Sequence, residues 1–196
     1  MRGQEPVSDG VEKEIIGSCQ EGDCGSFGLL VKKYQNNMLT FAYRMMGDWD
    51  EAKDVTQEAF VKAFLFIKSF DKSTTFFHWL YRILINQCKD KLRQRSIRRK
   101  FLERNRSAFD ESSSSPEQRM LKKEKEEAVQ SCLDELSQIQ RTCLILRDLQ
   151  GFSCEEIAQV LGCRRSTVRV HLFRGRKNLK KILTQKMKEG KIDEMR

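Results

Sequence analysis

The chain has 196 residues, of which 39% are hydrophobic, 33% charged and 9% aromatic, with a formal net charge of +9. That is enough apolar surface to build a core, which excludes a fibrous or wholly disordered chain. No run approaches the roughly eighteen apolar residues a membrane span needs, so no membrane insertion is expected. The opening Met1-Arg2-Gly3-Gln4-Glu5 has no apolar run behind it, so no secretory signal is expected, and the location reads as cytoplasmic.

Of the eleven glycines, seven lie between Gly3 and Gly47, none lies between Gly47 and Gly151, and the only prolines are Pro6 and Pro116. So long a stretch without glycine leaves little room for tight hairpins, and the chain reads as all-α. Apolar residues recur at threes and fours in Phe27–Met45, in Ala52–Ile67 and from Phe76 to Cys88, ending near Leu92, each the buried stripe of a helix. Asp48 with Glu51 reads as the N-cap and N3 residue of the second of these helices.

Composition then shifts. Residues 103–115 carry four consecutive serines and no aliphatic side chain larger than alanine. Such a stretch cannot repay its own ordering, so residues 100–116 are expected to be a flexible linker between a domain at 11–99 and a second at 117–188. Ser115-Pro116-Glu117-Gln118 reads as a helix start, as do Ser137 with Gln140 and Ser153 with Glu156. Gly151 suits a left-handed helix end, and Arg165 or Ser166 opens the last helix.

Charge is concentrated. From His78 to Arg106 there are ten Lys/Arg and two acids; from Arg164 to Lys188 there are ten Lys/Arg and none. The rest of the chain is therefore net negative, and two basic helices on an acidic chain are an electrostatic footprint for nucleic acid. Around the second of them, Ala158, Gly162 and Val168 have the spacing of a helix-turn-helix: a small residue at the helix contact, a glycine in the turn and an apolar residue packing back. The N-terminal part of the last helix would then enter the major groove, with Arg164, Arg165, Ser166, Thr167, Arg169, Val170, Phe173 and Arg174 on or near it.

Seven cysteines (19, 24, 88, 132, 143, 154 and 163) include no C-x-x-C pair. Neither a disulfide framework nor a zinc site is expected, and most should be small core residues. No cofactor is expected. Cys88 and His78 could in principle pair as nucleophile and base. Ten residues apart on one helix, however, they are separated by about 15 Å, too far for a hydrogen bond.

Two further segments are specific. Asp54-Val55-Thr56-Gln57-Glu58-Ala59-Phe60 precedes Phe76-Phe77-His78-Trp79-Leu80-Tyr81-Arg82-Ile83-Leu84-Ile85-Asn86, and the second domain carries Leu146-Arg147-Asp148-Leu149-Gln150-Gly151-Phe152 before the helix-turn-helix. In this order the motifs resemble bacterial sigma-70 family factors of the small extracytoplasmic-function (ECF) type, from about Phe27 to Leu183. The resemblance implies a non-enzymatic subunit that binds core RNA polymerase through the β′ clamp helices and the β flap, directs it to promoter DNA, and is held by an anti-sigma factor. By the same resemblance Asp54, Gln57 and Glu58 dock on the clamp helices. Phe70, Asp71, Lys72, Ser73, Thr74 and Thr75 form the loop that captures a base flipped from the −10 element, with His78 and Asn86 nearby. Arg82, Lys89, Lys91, Arg93 and Arg95 hold phosphates, and Arg164 to Arg174, with Lys177, reads the −35 element. Phe76 and Trp79 could stack on bases, but both also lie on the apolar stripe, which favours core packing. The family's turn often differs from Cys163-Arg164-Arg165-Ser166, so the −35 sequence read here is its own. The competing reading is a stand-alone helix-turn-helix regulator, for which the first domain offers no sensing or dimerising pattern.

Overall fold

The computed structural model describes residues 9–104 and 128–188. Among them there is no strand. The elements are α1 (Asp9–Glu21), α2 (Cys24–Met46), α3 (Trp49–Phe66) with a 3₁₀ turn at Ile67–Ser69, α4 (Phe76–Arg104), α5 (128–134), α6 (Gln138–Leu144) running into a π turn at Ile145–Leu149, α7 (Cys154–Leu161) and α8 (Arg165–Lys188).

Local chemistry sets most of these boundaries. Asp48 caps α3 by accepting from the amides of Asp50 and Glu51 at 2.9 and 2.8 Å. Gly47 ends α2 at φ 77°, a left-handed conformation that glycine adopts without strain. Ser153 and Glu156 form the expected reciprocal capping box on α7, and Gly162 closes that helix at φ 64°. Ser137 stands at the N-cap of α6, but its hydroxyl makes no capping bond. Its expected partner Gln140 instead accepts from Asn178 on α8 at 3.1 Å, so a contact between helices has displaced the local one. The helix start read at Ser115-Pro116 lies outside the described residues.

Helix α4 is longer than its apolar stripe. Beyond Leu92 it runs on to Arg104, into the stretch read as linker from residue 100. Its last turns contain no glycine or proline and are rich in arginine, lysine and glutamine, which hold a helix without burying a face. Ile97, Phe101 and Leu102 are accordingly exposed.

The first module is a bundle of α1 to α4, with α2 packed on α3 and both on α4. Met38, Phe41, Ala52, Val55, Ala59, Leu80, Tyr81, Leu84 and Cys88 form its interior. In the second module α6 and α7 pack on α8 around Leu144, Leu146, Ile157, Val168 and Leu172. Gly175 makes room there: a Cβ added to it would sit 3.2 Å from Leu144 Cδ1.

The two modules also touch. Arg141 Nη1 of α6 donates to the Met45 carbonyl at 2.8 Å and pairs with Asp134 at 2.9 Å. Gln130 Nε2 donates to the Arg44 carbonyl at 3.2 Å. Both satisfy carbonyls in the last turn of α2, which has no helical donors left for them.

Replacing Asp48 by alanine removes the cap of α3 and is expected to cost about 1 kcal/mol of stability. Urea denaturation should show a lower midpoint with an unchanged slope.

Candidate nucleic-acid and polymerase interfaces

Three surfaces gather the residues singled out from the sequence. On α3, Asp54, Gln57 and Glu58 are exposed while their neighbours Val55, Thr56, Ala59 and Phe60 are buried. Glu58 Oε2 accepts from Gln87 of α4 at 3.1 Å, and Gln87 in turn accepts from Lys62 at 2.6 Å. Asp54, Glu58, Val61 and Leu65 follow one stripe by helical spacing, and Val61 and Leu65 are 53% and 66% exposed. The polar start of this stripe is legible in the family motif, whereas its apolar continuation lies beyond the motif's polar residues. An unpaired valine–leucine step at i, i+4 was the available signal.

The second surface surrounds a cavity of about 450 Å³ between α1, α2, the 70–75 loop, the start of α4 and α7. Asp71 organises the loop: its carboxylate accepts from the Ser73 amide at 2.9 Å and the Ser73 hydroxyl at 2.5 Å, and its carbonyl accepts from the Thr74 amide at 3.2 Å. The Ser73 hydroxyl, and then its amide, hold the Asp71 carboxyl below its ordinary pKa. Lys72, Ser73, Thr74 and Thr75 are exposed, and Thr75 starts α4 by accepting from the His78 and Trp79 amides. Phe70 is different. Expected to read a base, it is 5% exposed and packed edge-on against Phe76 at 5.5 Å and against Trp79 at 5.2 Å. Its ring anchors the loop and forms part of the cavity wall. Phe76 is buried and Trp79 half-buried, in keeping with the apolar stripe. Tyr34 and Phe77 complete an aromatic lining, their rings 5.5 Å apart.

From this cavity a polar stripe runs along α4. His78, Arg82, Asn86, Lys89 and Arg93 recur at three and four and so share one face. Arg82, Asn86 and Arg93 are exposed and Lys89 is half-buried. Lys91 is half-buried; Arg95 reaches the Met46 carbonyl and Glu51, each at 3.4 Å. The first turn of the stripe meets the second module. His78 Nε2 lies 3.3 Å from Glu156 Oε1, and the Arg82 guanidinium donates to the Val160 carbonyl at 3.2 Å and to the Gln159 carbonyl. Sequence reasoning could not find these partners, because they lie 77 and 78 residues further along the chain.

The third surface is the N-terminal half of α8. Val168 and Leu172 are buried, whereas Arg164, Arg165, Ser166, Thr167, Arg169, Val170, Phe173, Arg174 and Lys177 are exposed, Phe173 at 71%. Arg165 pairs with Glu155 at 2.7 Å and Arg176 with Asp148 at 2.6 Å. Ile157 and Ala158 pack beneath, as the helix-turn-helix spacing requires.

The thiols do not build a site. Cys19, Cys88, Cys132 and Cys143 are buried, all seven cysteines are free, and no metal-holding cluster occurs among the described residues. Burial pushes the Cys88 thiol up to about 12, which removes it as a nucleophile near neutral pH.

Comparison with known proteins decides the family. Residues 30–98 match the family model for sigma-70 region 2, and residues 126–179 match that for sigma-70 region 4. The chain is 37% identical over 189 residues to the RNA polymerase sigma-H factor of Pseudomonas aeruginosa, covering 91% of this chain and 97% of that one. The chain belongs to the sigma-70 family, in its ECF group. It is 33% identical to the ECF RNA polymerase sigma-E factor of Haemophilus influenzae, over 84% of this chain and 91% of that protein. Among solved structures it resembles CnrH in complex with the cytosolic domain of CnrY, with a TM-score of 0.67, 25% identity, and coverage of 88% of this chain and 97% of that one. It also resembles the sigma factor RpoE bound to the anti-sigma factor NepR from Bartonella quintana, with a TM-score of 0.63, 26% identity, and coverage of 81% and 96%. It is therefore a sigma factor for promoter-specific transcription initiation, and a stand-alone regulator is not favoured. Among the described residues no helix is long and apolar enough to cross a membrane.

The Glu156 carboxyl sits below its ordinary pKa, held first by the Ser153 amide and then by the Ser153 hydroxyl and His78. Its contribution to stability is thus complete above its ordinary value of 4.5 and is lost as pH falls through the lowered one. Melting temperature should fall more steeply below that value in the native protein than in Glu156→Gln, whose amide can still close the capping box.

Proposed function

We propose that this sigma factor assigns its three surfaces to three tasks. The acidic and amide stripe of α3 docks on the clamp helices of the polymerase β′ subunit, with Val61 and Leu65 extending the contact. The cavity beside the 70–75 loop takes an unstacked base of the −10 element, and the basic face of α4 follows the adjoining phosphates. The exposed end of α8 enters the major groove at the −35 element, and the second module meets the β flap.

The observation that carries this reading is the separation of an acidic docking face from two basic faces, one of which surrounds an aromatic-lined cavity. The chemistry suits each role. Flipping a base costs a few kcal/mol, and aromatic faces return about 1–3 kcal/mol per stacked base. Hydroxyls at Ser73, Thr74 and Thr75 can donate to or accept from a base edge. Arginines at 164, 165, 169 and 174 can take guanine bidentately or hold phosphate. Membership of the sigma-70 family supports the role of a non-enzymatic specificity subunit. It acts in the cytoplasm, where the polymerase is. The similar sigma factor RpoE is bound to the anti-sigma factor NepR, which supports an anti-sigma partner for this chain as well.

Run-off transcription with purified core polymerase over a randomised promoter library tests the whole reading. The native chain should select a two-part motif, and replacing Asp54 and Gln57 by alanine should weaken assembly with core while leaving the helix content unchanged. Assembly unaffected by the double substitution would remove the α3 interface from the scheme.

Arg174→Ala should reduce promoter use by the equivalent of about 1–3 kcal/mol at one −35 position if the side chain reads a base. A uniform loss over all −35 sequences would identify it as a phosphate contact.

A further inference from the structure

Helix α1 lies before residues 30–98, the segment that matches sigma-70 region 2, and no sequence motif assigns it a task. The fold nevertheless builds it into the cavity beside the 70–75 loop. Glu12, Lys13 and Ile16 line that cavity together with Ser73, Thr74 and Thr75. Gln20, on the same helix, fixes the start of the loop: its Nε2 donates to the carbonyls of Ile67 and Phe70 at 3.1 and 3.0 Å.

Glu12 is the group that the grip on DNA leaves unexplained. Its side chain is 14% exposed, and its Oε2 accepts from Tyr34 Oη at 2.7 Å and from Lys33 Nζ. Both donors come to one oxygen and hold the carboxylate in place. Among the described residues, Oε1 has no hydrogen-bond partner. The other carboxylate of the cavity, Glu156, has both oxygens engaged, Oε1 by His78 and Oε2 by the Ser153 amide. A carboxylate oxygen repels phosphate, so it adds nothing to a backbone contact. Towards a base edge it is selective, because an ionised carboxylate accepts and never donates. Cytosine N4 and adenine N6 carry the hydrogens it needs, whereas thymine presents its O4 acceptor in their place. The hydroxyls of Ser73, Thr74 and Thr75 lack this selectivity, since each can donate or accept.

We propose that Glu12 of α1 is a specificity-determining residue of the base cavity: its Oε1 accepts from the exocyclic amine of a captured cytosine or adenine and turns thymine away. The inference rests on the assignment of this cavity to an unstacked −10 base. Lys33 and Tyr34 are positioning residues in this scheme, since they act through the carboxylate they hold.

Glu12→Gln tests it. The variant keeps the shape of the side chain, and its amide oxygen can accept from Lys33 and Tyr34, which leaves the NH2 group to donate to thymine O4. Run-off transcription by the full-length chain with purified core polymerase, over promoters randomised at one −10 position at a time, reads the change, and circular dichroism checks folding. The native chain should disfavour thymine about tenfold or more at one −10 position, the cost of leaving a charged acceptor without its donor. Glu12→Gln should remove that discrimination there and nowhere else. A second measurement needs no variant: at the same position, 2-pyrimidinone or purine, which lack the exocyclic amine, should be used by the native chain about as poorly as thymine. Unchanged base selection by folded Glu12→Gln, a loss equal for all bases, or full use of the amine-free bases overturns the role of Glu12 alone. A native chain that directs initiation without selecting any base at −10 overturns instead the assignment of the cavity.

Discussion

One helix has to satisfy two incompatible environments. Along α4, Phe76, Leu80, Tyr81, Leu84, Ile85 and Cys88 must be dry to hold the first module together, and His78, Arg82, Asn86, Lys89 and Arg93 form the polar face that we propose follows DNA. A helix can do both because its side chains repeat every 3.6 residues, so apolar and cationic stripes run side by side without mixing. Within the chain, Arg82 of the polar stripe meets the carbonyl end of α7, and Phe77 beside it stacks on the ring of Phe152.

Seen from that helix, the rest of the architecture has a clear division of labour. Helices α2 and α3 supply the core against which α4 packs. The 70–75 loop, tied down by Asp71 and Phe70, sets the mouth of the cavity at its start. The second module, a compact helix-turn-helix, is placed by contacts to two carbonyls at the end of α2 and by the aromatic seam on α4. The π turn at Ile145–Leu149 contributes here. Its wider spacing, with the Gln150 amide bonded to the Ile145 carbonyl, precedes the segment that carries Phe152 to the seam.

Much of this was legible in the amino acids. Asp48, Ser153, Gly151 and Gly162 announce their helix ends because capping is a contest among near neighbours, decided within a few residues. The apolar stripes of α2, α3 and α4 reveal themselves by period alone. Three features could not be read the same way. Ser137 looks like a capping-box serine, yet Gln140 is claimed by Asn178, a residue 38 positions away. Phe70 looks like a reader on a polar loop, yet its ring is drawn into the cluster with Phe76 and Trp79. The seam between modules depends on partners about 75 residues apart, and no local pattern encodes a pairing across that distance. The limits of α4 follow the same logic in reverse: helix propensity carries it on to Arg104 where the loss of an apolar stripe suggested an end.

The distribution of sulfur in this fold makes the molecule its own reporter. Cys24 is exposed at the start of α2, whereas Cys19 and Cys88 are sealed inside the first module and Cys132 and Cys143 inside the second. A thiol-reactive reagent therefore meets Cys24 at once and reaches the sealed four only when a module breathes. Timed alkylation read by mass spectrometry would follow the unfolding clock of each half separately in the unmodified chain, with no engineered label.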